Sequence, residues 1–143
     1  MTLLSITSYG GRPEYGLLAI AILLGIVHLV WAATAARRQQ NLKWARGPRD
    51  EPMPITGMAA RLDRGFKNYM ETFPFFAAAV IVAHLTQAPQ ERVDILAIIF
   101  IVARLSYLGC YLADWHWARS LVWFVGSMAT LVLVVVALMK IWA

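Results

Sequence analysis

Two uninterrupted apolar runs set the first constraint on this chain. Tyr15 to Ala36 contains no charged residue and only His28 as an ionisable group, and Ser120 to Met139 contains none at all. Each is about 20 residues, the length that crosses a hydrocarbon core of roughly 30 Å as a helix. A third run, Ile95 to Ala113, is interrupted only by Arg104. A fourth, Thr72 to Thr86, is apolar apart from His84 but too short to span by itself. Its helix must therefore start near Gly57 and run to about Gln87, roughly 45 Å, and it carries a polar strip down into the bilayer. With 60% hydrophobic residues, the chain lies well outside the range of soluble globular domains. The expectation is an all-α integral membrane protein, a four-helix up-down bundle forming one domain over 1–143, with spans at about 15–36, 58–86, 93–113 and 119–140.

Charge sets the orientation. Of thirteen Lys and Arg, eight lie between Arg37 and Lys67, and in a four-span arrangement Arg104 and Arg119 belong to the same side. The positive-inside rule then places the loops at 37–57 and 114–119 in the cytoplasm and both termini outside. The net charge of +5 follows from this topology and calls for no nucleic acid. The expected location is a bacterial inner membrane. Ala33-Thr34-Ala35 resembles a signal-peptide cleavage site, but the positive residues follow the apolar run instead of preceding it, which favours a retained span. The lone Cys110 excludes an internal disulfide and a cysteine-based metal cluster, and the three histidines lack metal-ligand spacing. Residues 1–13 read as a short external segment. Residues 39–57, with prolines at 48, 52 and 54, read as a helix-averse loop on the cytoplasmic surface, where Trp44 suits the headgroup zone.

The chemistry lies in residues 61–76, RLDRGFKNYMETFPFF. At about 100° per residue, Arg61, Arg64, Asn68 and Glu71 share an arc of roughly 80° on one helical face. On the third span Arg104, Tyr107 and Tyr111 share an arc of about 60°. Arg119 and Ser120 open the fourth. The second span descends from the side to which the third ascends, so these groups reach similar depth. Guanidiniums offer bidentate sites for carboxylates and stay charged in a poor dielectric. Asn68 and Glu71 suit an amide and an ammonium group, and the tyrosines add directional hydrogen bonds. A small zwitterionic peptide satisfies this set better than a lipid alone. The plainer reading pairs Glu71 with Arg64 or Arg104 as bundle glue, lets Arg61 and Lys67 snorkel, and leaves the tyrosines to the interfacial belt. Pro74 removes the backbone bond to the Met70 carbonyl, a kink that either opens a pocket beside Glu71 or serves packing only.

These patterns resemble the MAPEG family, the membrane-associated proteins of eicosanoid and glutathione metabolism, in particular its microsomal glutathione transferase-like members. The resemblance rests on R-x-x-R-x-x-x-N-x-x-E followed by proline, here Arg61, Arg64, Asn68, Glu71 and Pro74. It rests also on A-R-x-x-Y-x-x-x-Y, here Ala103, Arg104, Tyr107 and Tyr111. Arg37-Arg38 and Arg119-Ser120 match as well. The resemblance implies a homotrimer that binds glutathione between subunits in the cytoplasmic half of the membrane. It implies that Arg64, Asn68, Glu71, Arg104, Tyr107 and Tyr111 grip the tripeptide, with Arg37 reaching from a neighbour. Arg119 would stabilise the thiolate and Ser120 donate to the same sulfur, while a lipophilic substrate arrives from the bilayer. Phe66 stands where several glutathione-binding members carry Gln or His, and Tyr69 where others have a smaller or acidic residue.

Two functions follow from the resemblance. The first is a glutathione-dependent transferase or peroxidase acting on lipophilic electrophiles or lipid hydroperoxides. The alternative is a non-catalytic lipid-binding or scaffold protein of the same fold. A proton-coupled carrier built on Glu71 fits less well, because the chain is small and has no inverted repeat.

Overall fold

The computed structural model describes residues 12–48, 50 and 53–142; residues 1–11, expected as a short segment before the first span, and positions 49, 51, 52 and 143 lie outside the described residues. The described residues form five helices and no strand: α1 (Pro13–Arg37), α2 (Leu42–Arg46), α3 (Gly57–Leu85), α4 (Gln90–Ala113) and α5 (His116–Ile141). Four are long, and consecutive long helices run antiparallel. The start of α1 meets the end of α3 through Glu14 and His84, and the end of α3's first half meets α4 through Asn68 and Arg104. Arg119 at the start of α5 lies over Tyr111 near the end of α4.

One expectation needs correction. The loop after α1 contains a helix, α2, where proline content suggested none. Asn41 accepts a hydrogen bond from the Trp44 amide at 2.7 Å, an N-cap that initiates a turn, and Gly47 ends it after five residues. The prolines all lie beyond Gly47. Of the four expected spans, three stand out by composition. Three helices, α1, α4 and α5, are both long and apolar enough to cross a membrane. α3 has 29 residues, about 44 Å at 1.5 Å per residue, but Arg61, Asp63, Arg64, Lys67 and Glu71 all fall in its first half.

The core lies at the end of the bundle away from these charges. Phe76 of α3 and Phe100 of α4 stack with ring centroids 3.9 Å apart, and around them pack Ala21, Ala79, Val80, Ala83, Ala97 and Leu133. The many alanines follow from the solvent: lipid is as apolar as leucine, so helices in it gain by close approach. Gly25 shows this directly. A Cβ there would stand 2.8 Å from the Tyr69 ring, and the Tyr69 hydroxyl donates to the Ala21 carbonyl, locking α1 onto α3. One turn further on, buried His28 donates from Nε2 to the Leu62 carbonyl at 3.1 Å. The loop holding α2 is closed by Gln39, whose side-chain amide exchanges two hydrogen bonds with the Thr56 backbone, at 2.9 and 3.1 Å. That clasp keeps the Arg37 end of α1 beside the first turn of α3.

Candidate functional site

Arg104 is the centre of the site. Its residue is only 3% exposed, at a position in α4 where an apolar neighbour would pack more simply. A buried guanidinium is tolerated when its donors find acceptors. Here Nη1 donates to Asn68 Oδ1 at 3.2 Å and Nη2 to the Trp123 carbonyl at 3.5 Å. Its charged carbon lies 5.0 Å from the Phe100 ring centre and 5.8 Å from that of Tyr107, where the aromatic quadrupole favours a cation. The space for it comes from Gly126 on α5: a Cβ there would stand 2.6 Å from Nη2. The fit is incomplete, because Arg104 Nε is buried without a hydrogen-bond partner among the described residues.

The network extends both ways. Asn68 Nδ2 donates to Glu71 Oε2 at 3.5 Å, so the amide links carboxylate to guanidinium. On α4 the buried Tyr107 and Tyr111 rings meet edge to face at 5.2 Å, and the Arg119 guanidinium lies 4.8 Å over Tyr111. Six of the nine residues named from sequence thus form one continuous chain of contacts: Glu71, Asn68, Arg104, Tyr107, Tyr111 and Arg119. The other three do not join it. Arg64, Ser120 and Arg37 are exposed, and no hydrogen bond or ion pair ties them to the network among the described residues. Arg61 turns to the end of α4 instead, pairing with Asp114 at 3.8 Å while its Nε stays buried without a partner. Asp114 accepts the left-handed conformation that ends α4, with φ of 59°.

Bundle glue is not what Glu71 supplies. Among the described residues its carboxylate has no ion pair, with Arg64, Arg104 or any other cation, and it is exposed at the rim of a cavity. That cavity, about 430 Å³, opens between α3 and α5. The two aromatic departures from the family pattern turn the other way: Tyr69 bonds to α1, and Phe66 meets His28 edge to face at 5.7 Å.

Sequence reasoning missed a second polar cluster at the opposite end. Glu14, in the first turn of α1, is 1% exposed. One oxygen accepts from His84 Nδ1 at 2.9 Å and the other from Gln90 Nε2, whose amide also donates to Asp94 at 2.9 Å. Arg12 and Tyr15 cover His84 from outside. An acid after Pro13 reads in sequence as a partner for the helix dipole, and nothing local marks a histidine 70 residues away.

Several converging donors and one open carboxylate can hold a small ligand carrying both carboxylate and ammonium groups, with Arg119 placed to stabilise an anion. No curated protein matches the chain. The family model for the MAPEG family matches residues 17–139, from the first helix almost to the end of the last. With that match, and three helices able to cross a membrane, the chain belongs to the MAPEG family and is an integral membrane protein.

Proposed function

We propose that this protein is a glutathione-dependent membrane enzyme, a transferase or peroxidase, and that the Arg104 network holds the tripeptide. The observation that carries the proposal is the buried Arg104 with an unfilled Nε, wired through Asn68 to an unpaired Glu71. A structural ion pair would close on itself; this array ends on an exposed carboxylate without an ion pair among the described residues. Its donor set fits glutathione, which has two carboxylates, one ammonium and two amides. Arg104 and Arg64 are assigned to carboxylate, Asn68 to an amide, Glu71 to the ammonium group, and Tyr107 and Tyr111 to the peptide's flank. Bound there, the tripeptide supplies a thiol nucleophile. Arg119 acts on that thiol electrostatically: a fixed cation near sulfur favours the thiolate and raises the nucleophilic fraction at neutral pH. Ser120 donates to the same sulfur.

Arg37 does not reach the network within one chain, which supports a homotrimer in which a neighbour's α1 completes the site. The charge distribution supports a bacterial inner membrane with both termini outside the cytoplasm. Lipophilic electrophiles or lipid hydroperoxides would enter from the bilayer through the α3–α5 opening. That mostly apolar cavity equally suits the second reading, a lipid-binding or scaffold protein without thiol chemistry. Turnover separates them. Purified protein should couple glutathione consumption to loss of a lipophilic aryl halide or a lipid hydroperoxide, and Arg119→Ala should lower kcat at least tenfold with little change in glutathione affinity. Absence of turnover with every electrophile, in protein that retains its helices, would leave the scaffold reading.

A further inference from the structure

A second pocket, about 280 Å³, lies at the end of the bundle where α1 begins. Its polar wall is formed by Arg12, Glu14, His84, Gln87 and Gln90, drawn from the starts of α1 and α4, the end of α3 and the turn between α3 and α4. Sequence fixes its depth. Arg12 and Glu14 come just before the uncharged stretch that opens at Tyr15, and Gln87 and Gln90 follow the apolar stretch that ends at Thr86. In a membrane this boundary is the headgroup layer. Tyr15 and Leu85 beside the pocket are 41% and 73% exposed, which offers apolar surface to the chains of a lipid seated there.

Glu14 itself is closed, but the groups that hold it are not. Gln90 gives its amide nitrogen to both Glu14 and Asp94, and only the NH2 end of an amide can face two carboxylates. Its carbonyl oxygen is therefore an acceptor without a partner among the described residues, on an exposed residue of the wall. On the other side, Arg12 Nη1 lies 3.2 Å from His84 Nδ1 and 3.5 Å from Nε2. With the Nδ1 proton committed to Glu14, Nε2 is the nitrogen that accepts from Arg12. That contact occupies Nη1 alone, and Arg12 is exposed, with its other donors unpaired among the described residues.

A cation and a buried carboxylate thus flank one imidazole, with an amide acceptor on the carboxylate side. A phosphoethanolamine group has the matching layout, an anionic phosphate set two methylenes from a primary ammonium. The phosphate accepts from Arg12, a charge-assisted bond. The ammonium donates to the Gln90 carbonyl in the field of Glu14, which at 1% exposure is little screened. Other headgroups meet half of these terms. Glycerol brings no cation to the carboxylate. Choline brings one without N–H donors and is held by aromatic cages, whereas no Phe, Tyr or Trp lines this pocket among the described residues.

We propose that this pocket binds a phosphoethanolamine group, its phosphate on Arg12 and its ammonium on Gln90 beside Glu14. The depth of the pocket and its exposed apolar flank make a membrane aminophospholipid the source. The site stands apart from the Arg104 network and does not depend on the glutathione reading.

The test titrates the full-length protein in detergent with short-chain phosphatidylethanolamine, its choline counterpart and its glycerol counterpart, and counts retained lipid by native mass spectrometry. The ethanolamine lipid should bind at least tenfold more tightly than either of the others. Arg12→Gln, a change to an exposed side chain, should weaken it about tenfold, as for one charge-assisted hydrogen bond. Gln90→Leu should bring the ethanolamine and choline lipids close to equal. If Gln90→Leu does not fold, Arg12→Gln still decides the matter. Free phosphoethanolamine added as a competitor separates the two sources of this chemistry. No displacement at concentrations comparable to the lipid assigns the pocket to the membrane, and displacement assigns it to the soluble group. Equal retention of all three lipids, or retention indifferent to Arg12→Gln, would overturn the proposal and leave a polar pocket that only seats Glu14.

Discussion

At the end of the bundle where α1 begins, Glu14 is enclosed and both its oxygens are engaged by residues from α3 and α4. Toward the other end Arg104 is just as deeply enclosed, yet one of its nitrogens is unfilled and the network ends on an exposed carboxylate. Both clusters bury charge among the same helices, and they differ in closure. The first engages both oxygens of its buried carboxylate within the chain. The second is built by helices that make room for it, through Gly126, without completing its hydrogen bonds. Burial alone therefore does not distinguish the two clusters; the closure of their hydrogen bonds does.

Substitutions at each end should separate stability from binding. The largest effect is expected at Glu14. Replacing it by Ala empties a fully buried site and takes from half-buried His84 and exposed Gln90 the acceptor they share, at a cost of about 3 kcal/mol, or roughly 10 °C in thermal midpoint. Glutathione affinity measured below that temperature should stay unchanged, and a loss of affinity would show the two ends to be coupled. Arg104→Ala should do the reverse on binding: about 10- to 100-fold weaker glutathione by calorimetry, as for loss of hydrogen bonds from a charged group. Gly126→Val tests the same cation without deleting it. Its new Cβ would stand 2.6 Å from Nη2 and so displace the guanidinium, and affinity should drop about tenfold. The smallest effect is expected at Tyr69→Phe, which loses the bond to Ala21. It should lower the thermal midpoint by a few degrees, for about 1 kcal/mol, and leave binding alone. A binding defect there would place Tyr69 in the site instead of the α1 contact.

How much of this was legible in the sequence follows from the range of the interactions. The long helices could be read because hydrophobic runs and charge placement are local properties. Asn68, Arg104 and their tyrosines could be placed on shared faces because 3.6-residue periodicity fixes direction within a helix. Their meeting followed from short connections that make neighbours antiparallel. The α2 helix was hidden because five residues give no periodicity, and only the Asn41 cap announces it. Glu14 was hidden because its partners lie 70 and 76 positions away, on two other helices.

The central claim is that the open cluster binds and activates a thiol. Its most direct measurement is the ultraviolet difference spectrum of the purified protein titrated with glutathione at neutral pH, with Arg119→Ala as comparison. The account predicts a saturable thiolate band in the wild type and its loss in Arg119→Ala, with calorimetry still recording glutathione bound to the variant. A wild type that gives neither band nor binding heat, while keeping its helices and thermal midpoint, would contradict it.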